Sequence, residues 1–311
     1  MTKRDCVIVG GGPAGLTAAI YLARFCRSLT VIDADEGRLA MIPLSHNHPG
    51  FPKGIAGCDL LDRMRAQARE YGAEVTSGRV TALAGKVDGF TVTTEDGTVL
   101  TARTVLLATG VVNRRPPLAD DVHADAVARG LLRYCPICDG FEQQDKRIGV
   151  LGADSHGMAE ALFLRGYSKH LTMLTLIETD LDAGERAQLK GAGITLEERP
   201  LAGLTFAPPG EDESGGVRVS LQDGGQLTLD TLYPALGSET RNTLGLMLGT
   251  EVAEGACFVT DDSQRTSVAG IYAAGDAIEG LDQISVATGT GAKAAVAIHN
   301  DLRERDGQTA D

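Results

Sequence analysis

DCVIVGGGPAGLTAAIYLAR, residues 5–24, opens as a β-branched apolar run, turns on consecutive glycines and continues as an Ala-rich segment with helical spacing. Strand, tight turn and helix in this order make the first half of a dinucleotide-binding βαβ unit. Gly10, Gly12 and Gly15 each have a separate job in such a unit. Gly10 permits the turn, Gly12 lets a pyrophosphate approach the backbone, and Gly15 lets the helix pack against the strand. Pro13 and Ala14 start that helix and belong to the same candidate site, with the pyrophosphate on the helix N-terminus. The next apolar run, LTVID, ends at Asp33, where a carboxylate can accept from both ribose hydroxyls. A glycine turn with no ligand is the plainer alternative. The complete order of strand, glycines, helix, strand and acid favours a nucleotide.

The pattern returns at residues 146–165 as KRIGVLGADSHGMAEALFLR, with Gly152 for Gly10, Gly157 for Gly15 and Leu164 for Leu22. The chain therefore carries two dinucleotide folds. In the second, Asp154 takes the place of Gly12 and brings a side chain and a negative charge to where a pyrophosphate needs bare backbone. A fold without its ligand is the expectation there.

Two further segments belong with the first copy. TARTVLLATGVVNRRPPL, residues 101–118, reads as a strand ending at Ala108, Thr109 and Gly110, then a Pro-broken linker. TSVAGIYAAGD, residues 266–276, is a strand ending in Gly275 and Asp276, ahead of a helical pattern over 280–302. An acid at such a strand end can hydrogen-bond a ribityl or phosphate group; an ordinary turn is the alternative at each. The expected fold is α/β: two Rossmann-like, three-layer dinucleotide-binding domains, the second inserted in the first. Residues 1–115 form the first part of one domain, 116–242 the insert, and 243–311 the return. Within the insert, residues 213–237 read as hairpin strands around Asp-Gly-Gly, and APPGEDESGG, residues 207–216, as a solvated loop at the tip.

A length of 311 residues suits two domains, although length alone also fits one large one. The net charge of −13, with no Lys/Arg-rich run, disfavours nucleic acid and anionic membrane as partners. MTKRDCVIVGGG contains no signal-like apolar region, and no apolar run is long enough to span a bilayer, so a cytoplasmic protein is expected.

Of six cysteines, Cys6, Cys26, Cys58 and Cys257 are expected to be small core hydrophobes, and RYCPICDGFE, residues 133–142, holds the remaining two. A structural zinc needs four ligands, yet no second C-x-x-C occurs, and His46 and His48 sit in a Pro-flanked loop, so no metal is expected. Two buried free thiols are the bland alternative. Pro136 between Cys135 and Cys138, with Asp139 and Gly140 after them, favours a turn opening a helix, where backbone N–H groups favour a thiolate. The C-x-x-C spacing also brings two sulfurs within bonding reach, so redox activity is the favoured reading. Asp139, directly after Cys138, is placed to donate a proton to a leaving sulfur or to cap the helix.

VIVGGGPAGLTAA, HNHPGFP, ATG, CPICDG, TSVAGIYAAGD and DQISVATGTGAKAA resemble, in order and approximate spacing, the low-molecular-weight thioredoxin reductases and their flavoprotein relatives. The resemblance covers nearly the whole chain. It implies FAD in the first domain, touched by Gly10, Gly12, Gly15, Asp33, Asn47, Gly110, Asp276 and Gln283, with Gln283 and the Ile284 backbone near the isoalloxazine ring. Thr109 and Gly275 fall in the same motifs. The family has arginine before that glutamine, where this chain has Asp282. It also implies that Cys138 faces the flavin, that Cys135 attacks the partner, and that the protein is a homodimer.

The family's donor is NADPH, held by the second glycine motif and a His-Arg-Arg cluster past the next strand. Here LTMLTLIETD places Thr175, Leu176 and Ile177 at the cluster, and no arginine occurs between Arg165 and Arg186. Glu178 would suit NADH, but NADH also carries a pyrophosphate, which Asp154 opposes. The favoured function is an FAD-dependent thiol–disulfide oxidoreductase with a non-nicotinamide redox partner, such as reduced ferredoxin, or oxygen as acceptor from a dithiol. Its exchange partner is a thioredoxin-like protein or a small dithiol or disulfide. The alternatives are an ordinary NAD(P)H thioredoxin reductase and a flavin-bound regulatory protein without turnover.

Overall fold

β-branched runs alternating with helical runs build the first sheet, and the computed structural model describes residues 3–176, 178–207 and 216–308. In order come β1 (Arg4–Val9), α1 (Pro13–Arg24), β2 (Leu29–Asp33), α2 (Gly57–Glu70), β3 (Glu74–Ser77), β4 (Val80–Ala84), β5 (Phe90–Thr94) and β6 (Val99–Leu107). The chain then passes through β7 (Val111–Asn113), α3 (Asp120–Ala128) and α4 (Pro136–Asp139) into a second sheet. This part holds β8 (Ile148–Leu151), α5 (Ser155–Leu164), β9 (Leu171–Leu174), α6 (Ala183–Gly191), β10 (Thr195–Glu197), β11 (Leu201–Phe206), β12 (Val217–Leu221), β13 (Gln226–Leu229) and β14 (Thr231–Pro234). It leaves through β15 (Ser238–Thr240) and returns by α7 (Thr243–Leu246), β16 (Ile271–Ala273) and α8 (Ile284–Arg305).

The parallel core of the first sheet runs β3-β2-β1-β6-β16, with the β4–β5 hairpin on the N-terminal half of β6. This is the strand order of a doubly wound nucleotide fold. Its central strands are buried on both faces, as their unbroken apolar runs require. Ala18, Ala19, Ala294, Ala295 and Ile298 of α1 and α8 pack with Cys6, Ile8 and Val31 on one side. Val7, Val105 and Leu107 pack with Leu83, Phe90 and Phe258 on the other. Small residues allow the two helices to meet: a Cβ at Gly291 would lie 2.2 Å from the Ala14 carbonyl oxygen.

The second sheet runs β10-β9-β8-β14, all parallel. Leu164 and Leu189 of α5 and α6 cover Ile148, Val150 and Met173 on one face. The antiparallel sheet β11-β12-β13 covers Leu151, Leu174 and Leu232 on the other. The hairpin expected around Asp-Gly-Gly is β12–β13, whereas β14 leaves it to pair with β8. Of the loop expected at 207–216, residues 208–215 lie outside the described residues, as does Ile177. The segments entering and leaving the insert pair as β7 and β15, with Ser238 opposite Asn113 and Thr240 opposite Val111.

Among the four remaining cysteines only Cys6 is a core residue. Cys26 and Cys58 are exposed and Cys257 is intermediate. Cys26 follows α1 with a φ of 58° and lies past the buried face, while Cys58 is the second residue of α2 and points outward. No described helix is long and apolar enough to cross a membrane.

Candidate active site

The carboxyl ends of β1, β6 and β16 converge on one cavity of about 880 Å³, within the ~300–1,000 Å³ range of ligand clefts. Its lining includes Gly10, Gly12, Pro13, Ala14, Asp33, Asn47, Thr109, Gly110, Cys135, Cys138, Asp139, Gly275, Asp276, Gln283 and Ile284. Gly15 lies beneath it, where a Cβ would come 2.0 Å from the Gly10 carbonyl oxygen. Gly10 has a φ of +107°, a conformation side chains resist. Gly12, the N-cap of α1, has nothing within 4 Å of where its Cβ would stand and no side-chain cap, so bare backbone faces the cavity. Asp33 is buried beside this turn and accepts from Arg65 Nη2 at 2.8 Å.

Cys135 and Cys138 form a disulfide, with Cα atoms 5.2 Å apart, so neither a zinc half-site nor a pair of free thiols describes them. Cys135 N-caps α4, its sulfur accepting from the Cys138 N–H at 3.1 Å. Gln283, at the start of α8, donates from Nε2 to both sulfurs, at 3.3 Å to Cys135 and 3.4 Å to Cys138. Its Oε1 accepts from Asn47 Nδ2 at 2.9 Å. The elements of the first sheet and the α4 turn of the insert thus share one site.

The Asp139 carboxylate is engaged on both oxygens, by Arg133 Nη1 and the Tyr233 hydroxyl, each at 2.6 Å. Burial, then the Asp139 charge, pushes the Tyr233 phenol far above its ordinary range. Tyr134, beside Cys135, hydrogen-bonds the buried His123 at 2.7 Å, and burial pushes its phenol up to about 12. Burial raises the Asp276 carboxyl to about 6, against the pull of Arg38, whose Nε lies 3.6 Å away. Arg38 Nη1 also meets Asp282 Oδ2 at 2.9 Å. Sequence reasoning missed Arg38, Arg65, Arg133 and Tyr233. An isolated arginine has no motif, and the only signal for Tyr233 was a polar ring in a buried strand.

At the second glycine motif, Asp154 N-caps α5 and accepts from the Gly157 N–H at 3.0 Å. The Asp180 N–H donates to the Ala153 carbonyl at 2.7 Å, bringing the segment after β9 onto the same turn. The flanking arginines are engaged elsewhere: Arg165 on the Ala192 carbonyl and Arg186 on Glu198, Thr179 and the Leu181 carbonyl. Thr175 is buried and Leu176 packs into the insert's apolar core. Among the described residues no cluster of three or more His, Cys, Asp or Glu is arranged to hold a metal.

Residues 4–291 match the family model described as pyridine nucleotide-disulphide oxidoreductase. The thioredoxin reductase of Streptomyces coelicolor is 32% identical, covering 94% of this chain and 92% of the relative. The crystal structure of HlmI is 29% identical, with a TM-score of 0.88, covering 98% of this chain and 94% of HlmI. The atypical thioredoxin reductase TRi from Desulfovibrio vulgaris Hildenborough is 33% identical, with a TM-score of 0.54, covering 97% of this chain and 99% of that one. The chain belongs to the pyridine nucleotide-disulphide oxidoreductase family, as an FAD-dependent disulfide oxidoreductase resembling the thioredoxin reductases.

Proposed function

We propose that the protein passes electrons between FAD in the first domain and the Cys135–Cys138 disulfide, with no nicotinamide nucleotide as direct donor. The residues present fit FAD: Gly12 offers bare backbone at an uncapped helix start, and Asp33 stands buried at the end of β2. Asp276, Thr109, Gly110, Gly275 and the Ile284 backbone line the same cavity as the cysteines. Bound there, FAD supplies a carrier of two electrons. Domain limits at 115/116 and 242/243 are part of this reading, close to the β7–β15 ribbon through which the chain enters and leaves the insert.

The observation that carries the donor reading is the Asp154 cap. The second helix start already holds an anion from its own chain, where the first leaves backbone free. A like-charge contact at about 4 Å costs on the order of 4 kcal/mol at an effective dielectric near 20, roughly three decades of affinity. The reading gives Cys138 the flavin side and Cys135 the exchange with an external thiol or disulfide. Once released from Arg133 or Tyr233, Asp139 takes a proton from water and delivers it to the leaving sulfur. Exposed Ile137 and Phe141 beside the pair suit a thioredoxin-like protein, and a small dithiol is the other candidate. Reduced ferredoxin or oxygen then completes the electron balance, in a cytoplasmic homodimer.

The redox pair is tested by single replacements. Cys135→Ser and Cys138→Ser should each lower disulfide turnover at least a hundredfold while retaining flavin, measured with a dye-linked reductant. Turnover of either variant at the wild-type rate would remove the pair from the mechanism.

A further inference from the structure

Two amide side chains meet the disulfide in series. Asn47 Nδ2 lies 2.9 Å from Gln283 Oε1 and 3.5 Å from the Ile137 carbonyl, while Asn47 Oδ1 accepts from Ser45 Oγ at 3.2 Å. A backbone carbonyl only accepts, so the contact with Ile137 turns the NH₂ end of Asn47 toward Gln283. Gln283 must then present its oxygen to Asn47 and its NH₂ to the sulfurs, where it reaches both Cys135 and Cys138. Ile137 lies between the two cysteines, so the clamp is closed by the same turn it serves.

We propose that Gln283 is a thiolate-stabilising residue for the Cys135–Cys138 pair and that Asn47 is the positioning residue that fixes its donor end on the sulfurs. This rests on the redox-pair reading and is independent of which donor reduces the flavin. Two electrons and two protons convert the disulfide to two thiols, breaking the S–S bond. Loss of one proton to water leaves a thiolate, an acceptor much stronger than a disulfide sulfur. An N–H aimed at that anion favours the charged form and lowers its pKa. The Cys138 N–H to Cys135 adds to the same effect. The other titratable and charged groups on the elements around the pair include Arg133, Tyr134, Asp139, Glu142, His156, Glu160 and Tyr233 from the insert, with Arg38, His46, His48, Asp276 and Asp282 from the first domain. All remain in place when the two amides are replaced, so a difference between variants isolates the amides.

The test uses FAD-loaded protein reduced under nitrogen with dithiothreitol, which supplies both electrons and both protons as it closes to its own cyclic disulfide. Alkylation of the pair by iodoacetamide is then followed across the pH range by mass spectrometry. The wild-type midpoint should fall below the ordinary thiol value of about 8.5. Gln283→Leu should raise it by about one pH unit, Gln283→Glu by more because an anion replaces the donor, and Asn47→Ala by about half a unit. Flavin absorbance and circular dichroism identify the variants that keep cofactor and fold. A midpoint unmoved in Gln283→Leu overturns the proposal. If that variant loses its flavin, an unmoved midpoint in Asn47→Ala overturns it instead.

Discussion

Gly12 and Gly15 belong to one motif but serve different ends. A side chain at Gly12 would enter the open cavity, whereas one at Gly15 would strike the Gly10 carbonyl within the packed turn. Gly12→Val should therefore fold and purify colourless, while Gly15→Val should fail to fold; circular dichroism and flavin absorbance separate the two. A yellow Gly12→Val protein would contradict the assignment. Asp276 carries a pH signature. Burial raises its carboxyl from 3.8 to about 6 in the folded chain, so the folded state binds the proton more tightly than the unfolded state. Its contribution favours folding below about pH 4 and is lost as pH rises through about 6. In flavin-free protein, Asp276→Asn should exceed wild type in stability at pH 7 by roughly 3 kcal/mol and come within about 1 kcal/mol of it at pH 4. Denaturant melts that give the same difference at both pH values would count against this. Single residues were legible where a motif fixed their neighbours, as at Gly10 and Asp33. Arg38 and Tyr233 were not, because their partners, Asp282 and Asp139, are distant in sequence and meet them only in the fold.

The helices α1 and α5 follow equivalent strands and equivalent glycine turns, yet one starts uncapped and the other is closed by its own Asp154. A carboxylate that caps a helix satisfies the same backbone donors an external phosphate would use. Asp154→Ala should cost about 1 kcal/mol of stability and Asp154→Gly only a few tenths. Asp154→Gly should still take up NADPH poorly, because Thr175 and Leu176 supply no guanidinium to a 2′-phosphate. Thermal melts and equilibrium dialysis check the two halves of this prediction; micromolar binding by Asp154→Gly alone would reduce the donor question to a single residue. The repeat of strand, turn and helix was readable because glycine positions and apolar periodicity are local. The inward turn of the Asp154 side chain needs the folded helix start to be seen. Cys26 and Cys58 were misjudged for a similar reason, since apolar neighbours in sequence do not fix which way a residue at a helix end faces.

At the scale of the molecule, two sheets with parallel cores are built on one plan, and the strand ends of the first meet the α4 turn of the insert at a cavity that contains the disulfide. The order of motifs made that architecture legible, because a strand-end glycine motif recurring after the chain leaves the first sheet implies an insertion. The convergence of Asn47, Gln283 and the cysteines was implied only by family resemblance, since 236 positions separate Asn47 from Gln283. An acidic surface, with a net charge of −13, adds a general repulsion toward nucleotide anions that salt should weaken. The central claim is that the second dinucleotide fold carries cysteines and not a nicotinamide donor. Stopped-flow absorbance of the oxidised flavin, without oxygen, tests it: millimolar NADPH or NADH should leave the flavin oxidised on a catalytic timescale, whereas dithionite or a strong dithiol should bleach it. Rapid bleaching by NADPH with micromolar half-saturation would contradict the account and make this an ordinary nicotinamide-dependent reductase.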